Sequence, residues 1–208
     1  MGAPGAGKGT QARLLQERKG LPQISTGDIF RSLAEANTPL ANEVREIQQA
    51  GRLIPDQVVI RVVEERTSQD DCRNGYILDG FPRTAAQAGM LEHLAQRQGN
   101  GIKAILIDVP IGSLMERLTG RRTCPVCGEI YNIYFKPPKF DNRCDSHPER
   151  ELFHRPDDAP EKIQVRLETY ANETAPLLNY YEHSHRLHRI DGTRDVEEIY
   201  ADVQRVLA

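Results

Sequence analysis

The first ten residues, Met1-Gly2-Ala3-Pro4-Gly5-Ala6-Gly7-Lys8-Gly9-Thr10, combine four glycines with one lysine. Gly2-x4-Gly7-Lys8 fits the phosphate-loop pattern. Glycines let backbone N–H groups turn inward around phosphate oxygens, and a following helix aims its N-terminal dipole at the same anion. A helical pattern does follow, with Ala12, Leu14 and Leu15 in the stretch Thr10 to Arg18. Lys8 can then reach terminal phosphates, and Thr10 stands where a hydroxyl could help. Gly9 occupies the position where a Ser or Thr usually follows the lysine. A glycine-rich run alone could be a disordered end; the lysine in register and the helix behind it favour the phosphate reading.

A second chemical signature lies far downstream. Cys124-x2-Cys127-x16-Cys144-x2-His147 is two knuckles whose linker fits a zinc template. A full set of four protein ligands implies a structural metal rather than a catalytic one. Asp145 and His154 rival His147 for the fourth place. His147 fits the knuckle spacing best, and imidazole suits zinc. Cys72 stands apart and reads as an ordinary thiol. A zinc ribbon could also be a nucleic-acid module. The charge balance of 27 Lys+Arg against 30 Asp+Glu, net −3, argues against polyanion binding.

Two weaker motifs lie between these. Ser25-Thr26-Gly27-Asp28 precedes an amphipathic stretch with Arg31 one turn on, which by itself reads as a helix cap. Leu78-Asp79-Gly80-Phe81-Pro82-Arg83 follows a short apolar run, with Gln87 one turn further. At the C-terminal edge of a parallel sheet, where ligands bind, an Asp such as Asp79 can hold the water shell of Mg²⁺.

Such residues need a scaffold that brings them together. Apolar runs at Tyr76–Leu78, Ala104–Ile107 and Leu187–Ile190 read as strands; 104–107 is continuously apolar, as in a buried parallel strand. Helical patterns separate them: Val58, Val59, Val62 and Val63; a stripe from Ile163 to Tyr181, kinked at Pro176; and Val196, Ile199, Tyr200, Val203 and Val206. The alternation predicts an α/β fold, a parallel sheet flanked by helices in three layers. Residues 25–54 read as helical without a strand. Residues 120–155 hold the clustered cysteines and Pro137-Pro138. Both read as insertions. With 38% hydrophobic and 27% charged residues, the chain is globular rather than disordered. No apolar run approaches the roughly 20 residues that span a bilayer. No signal peptide opens the chain, so no membrane role is expected.

Gly-Ala-Pro-Gly-Ala-Gly-Lys-Gly-Thr, Ser-Thr-Gly-Asp, Asp-Gly-Phe-Pro-Arg and Gly120-Arg121-Arg122, in that order, resemble the adenylate kinases. The resemblance extends to Arg155-x-Asp157-Asp158 and Arg166 and covers nearly the whole chain. It implies a P-loop core over 1–24, 55–119 and 156–208, an AMP-binding insertion over 25–54 and a zinc-bearing mobile lid over 120–155. It implies the reaction ATP + AMP ⇌ 2 ADP with Mg²⁺. Gly5, Ala6, Gly7, Lys8, Gly9 and Thr10 would wrap the ATP phosphates. Arg117 and Arg121 would hold ATP from the lid side. Ile130 and Tyr131 would meet ATP from the lid, and Gly192 and Arg194 would meet the adenine. Thr26, Arg31, Arg52, Leu53, Ile54, Gly80, Phe81, Pro82, Arg83 and Gln87 would meet AMP, and Arg155 and Arg166 would bridge the reacting phosphates. Lys8, Asp79, Arg83, Arg121, Arg155 and Arg166 would form the catalytic set. In zinc-bearing members the fourth ligand is commonly Asp or Cys at the position of His147. A sister kinase using GTP, or another monophosphate as acceptor, stays open, as does a nucleotide-binding zinc protein without turnover. With no targeting segment and a cluster of free thiols, a reducing cytoplasm is the simplest compartment, and the resemblance implies a monomer.

One feature departs from the family. Its members begin with a short apolar strand leading into the glycine loop, and Met1 would occupy that strand's last position. The expectation is a sheet short of one central strand, from a misassigned start or a fragment.

Overall fold

The computed structural model describes residues 1–34, 36, 39–50 and 52–208, so part of the expected insertion 25–54 lies outside the described residues. The glycine loop runs directly into helix α1 (Lys8–Lys19). Gly7 caps it at φ +98°, a conformation that L side chains rarely adopt. The helix closes on Gly20, whose N–H bonds the Gln16 carbonyl at 3.0 Å.

Four short strands lie parallel in two pairs. β1 (Gln23–Ser25) pairs with β2 (Ile77–Asp79) from Gln23↔Ile77 to Ser25↔Asp79. After helices α2 (Thr26–Ala34), α3 (Pro39–Gln49) and α4 (Asp56–Thr67), β2 leads to α5 (Ala85–Gln98). β3 (Ala104–Asp108) follows, then α6 (Ile111–Thr119). β3 pairs with β6 (Leu187–Asp191) from Ala104↔Leu187 to Asp108↔Asp191. β2, β3 and β6 coincide with the apolar runs. β1 escaped the sequence reading because only Ile24 of its three residues is apolar, although that side chain is fully buried.

The helices cover these strands. Leu15 of α1, Leu114 of α6 and Ile199 and Val203 of α9 (Val196–Leu207) pack with Ile107 and Ile190 of β3 and β6. A second cluster joins Phe30, Val44, Val59, Val63, Phe81, Leu91 and Leu94. Each such side chain contributes roughly 1.5–3 kcal/mol on burial. The α/β class is as expected, but the sheet is two parallel pairs rather than one continuous layer. Between β2 and β3 lies an apolar cavity of about 410 Å³, and Met1 sits at one end of it against β3.

Residues 121–153 leave the alternation. β4 (Arg121–Thr123) and β5 (Ile130–Asn132) form an antiparallel hairpin, and Cys124, Tyr131, Cys144 and Leu152 make a separate small core. The stripe from Ile163 to Tyr181 is two helices, α7 (Pro160–Thr169) and α8 (Pro176–His183). A π-turn at Tyr170–Thr174 joins them, closed by the Ala175 N–H on the Tyr170 carbonyl at 2.8 Å. Pro176 has no N–H to donate, so the backbone adjusts just before it.

Candidate active site

The glycine loop and α1 place Lys8 in a half-buried position. Its Nζ donates to the Gly2 and Ala3 carbonyls at 2.8 and 2.9 Å. Burial pushes its pKa down to about 8; Asp79 opposes this, while Arg83, Arg166 and Arg121 add repulsion. Asp79 ends β2 beside the helix start. A Cβ on Gly9 would lie 3.3 Å from the Asp79 carboxylate, so the close approach of α1 accounts for glycine where a hydroxyl residue usually follows the lysine.

A second cleft, of about 790 Å³, opens between β2, α2 and residues 123–128 and 153–157. Thr26, Arg31, Arg52, Leu53, Ile54, Gly80, Arg83, Gln87, Arg155 and Arg166 all line it. The Thr26 hydroxyl donates to the Gly80 carbonyl at 2.9 Å, and Arg83 Nε donates to the same carbonyl at 2.7 Å. Gly80 has φ +80°, and a Cβ there would meet the Arg83 guanidinium at 2.8 Å. Gln87 is buried with both amide ends engaged: its carbonyl accepts from the Arg83 N–H at 2.8 Å and its Nε2 donates to Asp56 at 2.6 Å. It therefore braces the loop that carries Arg83. Arg31 pairs with Asp28. Phe81 and Pro82, joined by a cis peptide, line the apolar cavity between β2 and β3 instead of this cleft.

One carboxylate organises the arginines. Asp158, fully buried, accepts from Arg121 Nε and Nη2 at 2.7 and 2.6 Å and from Arg166 Nη1 at 2.6 Å. Arg166 also lies 3.2 Å from Asp157. Arg155 donates to the Thr123 hydroxyl at 3.1 Å. Burial, with repulsion from Arg121 and Arg31, pulls the Arg155 pKa down to about 9, and burial likewise lowers that of Arg83. Half-buried cations that depress one another in this way would be relieved by phosphate oxygens placed among them.

At the edge of the site, Arg117 Nη2 donates to the Gly192 carbonyl at 3.0 Å, joining α6 to the turn after β6. Arg194 is held by Asp202 and lies 4.0 Å from Asp191. Ile130 approaches the helix start, its Cδ1 3.9 Å from a Cβ built on Gly9. Tyr131 is buried in the core of the hairpin region, its hydroxyl accepting from the Asp145 N–H at 2.9 Å and lying 3.6 Å from Cys144 Sγ.

The donor atoms of Cys124, Cys127, Cys144 and His147 all lie within 4.8 Å of one another. Cys127 and Cys144 sulfurs are 3.7 Å apart, and His147 Nδ1 lies 3.6 Å from Cys144 Sγ and 4.0 Å from Cys124 Sγ. A tetrahedral zinc with ordinary bond lengths needs edges of about 3.6–3.8 Å. The donor set and its size therefore fit zinc. Asp145 turns its carboxylate to the Lys139 N–H at 2.8 Å, and His154 lines the arginine cleft.

Comparison with known proteins agrees with this geometry. The adenylate kinase family model matches residues 1–186. The adenylate kinase of Thermodesulfovibrio yellowstonii is 47% identical over all 208 residues, which cover 96% of that protein. The adenylate kinases of Clostridium perfringens (strain SM101) and Nitrosococcus oceani are each 45% identical over the same span, again covering 96% of each relative. The chain belongs to the adenylate kinase family.

Within this adenylate kinase fold, two residues emerge that sequence reasoning left without a role. Asp158 appeared only as part of a motif, yet it ties Arg121 to Arg166 across 45 positions of sequence. Thr174 holds the Arg83 carbonyl from the π-turn at 3.0 Å. No local pattern marks either one, because Asp158 meets Arg121 and Thr174 meets Arg83 only through the fold. Among the described residues, no helix is long and apolar enough to cross a membrane.

Proposed function

We propose that this chain catalyses reversible phosphoryl transfer from MgATP to AMP, giving two ADP. The observation that carries the reading is the convergence of half-buried Arg83, Arg155 and Arg166 on one cleft, with Arg121 tied to Arg166 through Asp158 and half-buried Lys8 on the adjoining glycine loop; Lys8, Arg83 and Arg155 all have depressed pKa values. An AMP phosphate oxygen attacks the γ-phosphorus in line, a new P–O bond forms, and the bond to the β–γ bridging oxygen breaks. The leaving group is ADP, so no protein nucleophile is required. Loop residues Gly5 to Thr10 receive the ATP phosphates, Arg31, Arg83 and the 52–54 stretch receive AMP, and Arg121, Arg155 and Arg166 bridge the transferring group. Mg²⁺ supplies charge neutralisation on the ATP phosphates, and Asp79 stands where a carboxylate can hold its waters.

In this reading residues 25–54 form the AMP-binding insertion and 120–155 a lid that closes over both nucleotides. A structural zinc held by Cys124, Cys127, Cys144 and His147 supports that lid, whose own core is too small to stand alone. We read the protein as a cytoplasmic monomer acting on free nucleotides. A coupled assay of ADP formation tests the proposal. Turnover requiring both ATP and AMP supports it. Nucleotide binding without turnover refutes it, and equal turnover with GTP as donor refutes the assignment of ATP.

A further inference from the structure

Gln87 is buried at the cleft, and its amide is held in one orientation by partners that cannot exchange roles. A backbone N–H only donates, and a carboxylate only accepts. The Arg83 N–H therefore fixes Oε1 at 2.8 Å, and Asp56 fixes Nε2 at 2.6 Å. Turning the amide over would set donor against donor and acceptor against acceptor. Asp56 is itself anchored. Its second carboxylate oxygen accepts from the Thr84 hydroxyl at 3.1 Å, and that hydroxyl caps α5 by accepting from the Gln87 N–H at 3.1 Å. In sequence Asp56 lies between Ile54 and Val59, which pack with Phe30 in one buried apolar cluster and line the same cleft.

We propose that Asp56 is a positioning residue that sets the base specificity of the acceptor site, selecting a 6-aminopurine over a 6-oxopurine. The inference rests on the kinase reading, in which this cleft receives the acceptor monophosphate. An amide carries two lone pairs on oxygen and two N–H donors on nitrogen. Arg83 and Asp56 take up one of each, which leaves one acceptor on Oε1 and one donor on Nε2. A 6-aminopurine offers the match, an amino N–H beside an unprotonated ring nitrogen. A 6-oxopurine offers the reverse at that edge, a carbonyl oxygen beside a ring N–H. A freely turning amide would accept either base by flipping. The discrimination therefore comes from what forbids the flip. The Arg83 N–H is backbone, which any residue but proline would supply; the Asp56 carboxylate is specific to this side chain. The guanidinium groups of the cleft suit the phosphate, which leaves the apolar wall for the faces of a planar base. A base of reversed polarity is rejected because it leaves buried polar groups unpaired.

The test measures turnover with MgATP, and dissociation constants for AMP and inosine monophosphate (IMP) by calorimetry, on the parent chain, Asp56→Ala and Asp56→Asn. The parent should prefer AMP by about 10–100-fold, the scale of one bidentate base contact. Asp56→Ala should lose about tenfold of that preference, the scale of one charge-assisted hydrogen bond, chiefly through weaker AMP binding. Its KM for ATP and its kcat at saturating AMP should stay within about twofold of the parent, as for a residue that acts on acceptor binding alone. Asp56→Asn keeps an oxygen acceptor and should retain most of the preference. Equal losses for AMP and IMP in Asp56→Ala would mean a merely structural role and overturn the proposal, as would Asp56→Asn behaving like Asp56→Ala. A parent that binds IMP within about threefold of AMP, below the weakest contact of this kind, overturns it without needing any variant to fold. Absence of turnover alone refutes the kinase reading instead, because both dissociation constants are read without it.

Discussion

Replacing Asp158 by Asn isolates the electrostatic centre of the site. The side chain is fully buried and accepts three hydrogen bonds of 2.6–2.7 Å from Arg121 and Arg166, themselves only 13% and 18% exposed. Asn keeps the shape and one oxygen but removes the charge, and its amide N–H groups then face guanidinium donors. Removing one partner of a buried ion pair costs about 3–5 kcal/mol, because the remaining charge is left without compensation. Asp157, 3.2 Å from Arg166, retains part of the compensation, which places the expected loss near the lower limit, about 3 kcal/mol. For a chain of this size that is a fall in Tm of roughly 6–12 °C. Urea denaturation of both proteins, at equal zinc loading, measures it. Saturating ATP and AMP should shrink the difference, because phosphate oxygens then face the same guanidinium groups. A loss under about 1 kcal/mol would refute the claim that this cluster is desolvated. A loss unchanged by nucleotides would refute the claim that these arginines meet phosphate.

Other perturbations separate the remaining causes. Lys8→Met should lower kcat by about 10³-fold, the scale of removing a preorganised charge at the transferring group, with little loss of stability. The Lys8 pKa, held at about 8 in the folded chain, lies below its unfolded value, so the unfolded state binds more protons between them and stability should rise from pH 8 toward 10. ATP binding near pH 8.5 should take up a proton, read by calorimetry in buffers of different ionisation heat; no uptake would contradict a phosphate-facing Lys8. Asp157 titrates the opposite way: burial raises its pKa, but Arg166 and its neighbours outweigh this and hold it below the usual carboxylate range, so its contribution is present above pH 4 and lost as pH falls further. Acid denaturation of Asp157→Asn against the parent chain measures that contribution. Metal analysis should find about one zinc per chain, and His147→Ala should lower zinc retention more than Asp145→Ala or His154→Ala; equal effects would undo the ligand assignment. Gly7→Ala should cost about 1–2 kcal/mol through its φ of +98° alone, since a Cβ there meets nothing within 4 Å, and urea denaturation would show it.

Much of the site was legible along the chain because its signals are local. A lysine one residue after a glycine that must turn, and cysteine knuckles with two intervening residues, are short-range geometry. The apolar runs of β2, β3 and β6 and the alternation with helices likewise follow from residue order, and they carried the α/β class. Tertiary structure decided what depends on contacts between distant segments. β1 is a strand because Ile24 is buried against its surroundings and paired with Leu78, not because Gln23 and Ser25 favour one. His147 joins the three cysteines, while Asp145 is drawn to Lys139 and His154 to the arginine cleft. Gln87 faces the cleft as a brace, and Tyr131 is drawn into the hairpin core. Asp158 became the hub of the arginines only when Arg121 and Arg166 were folded onto it, for burial is what makes a shared carboxylate decisive.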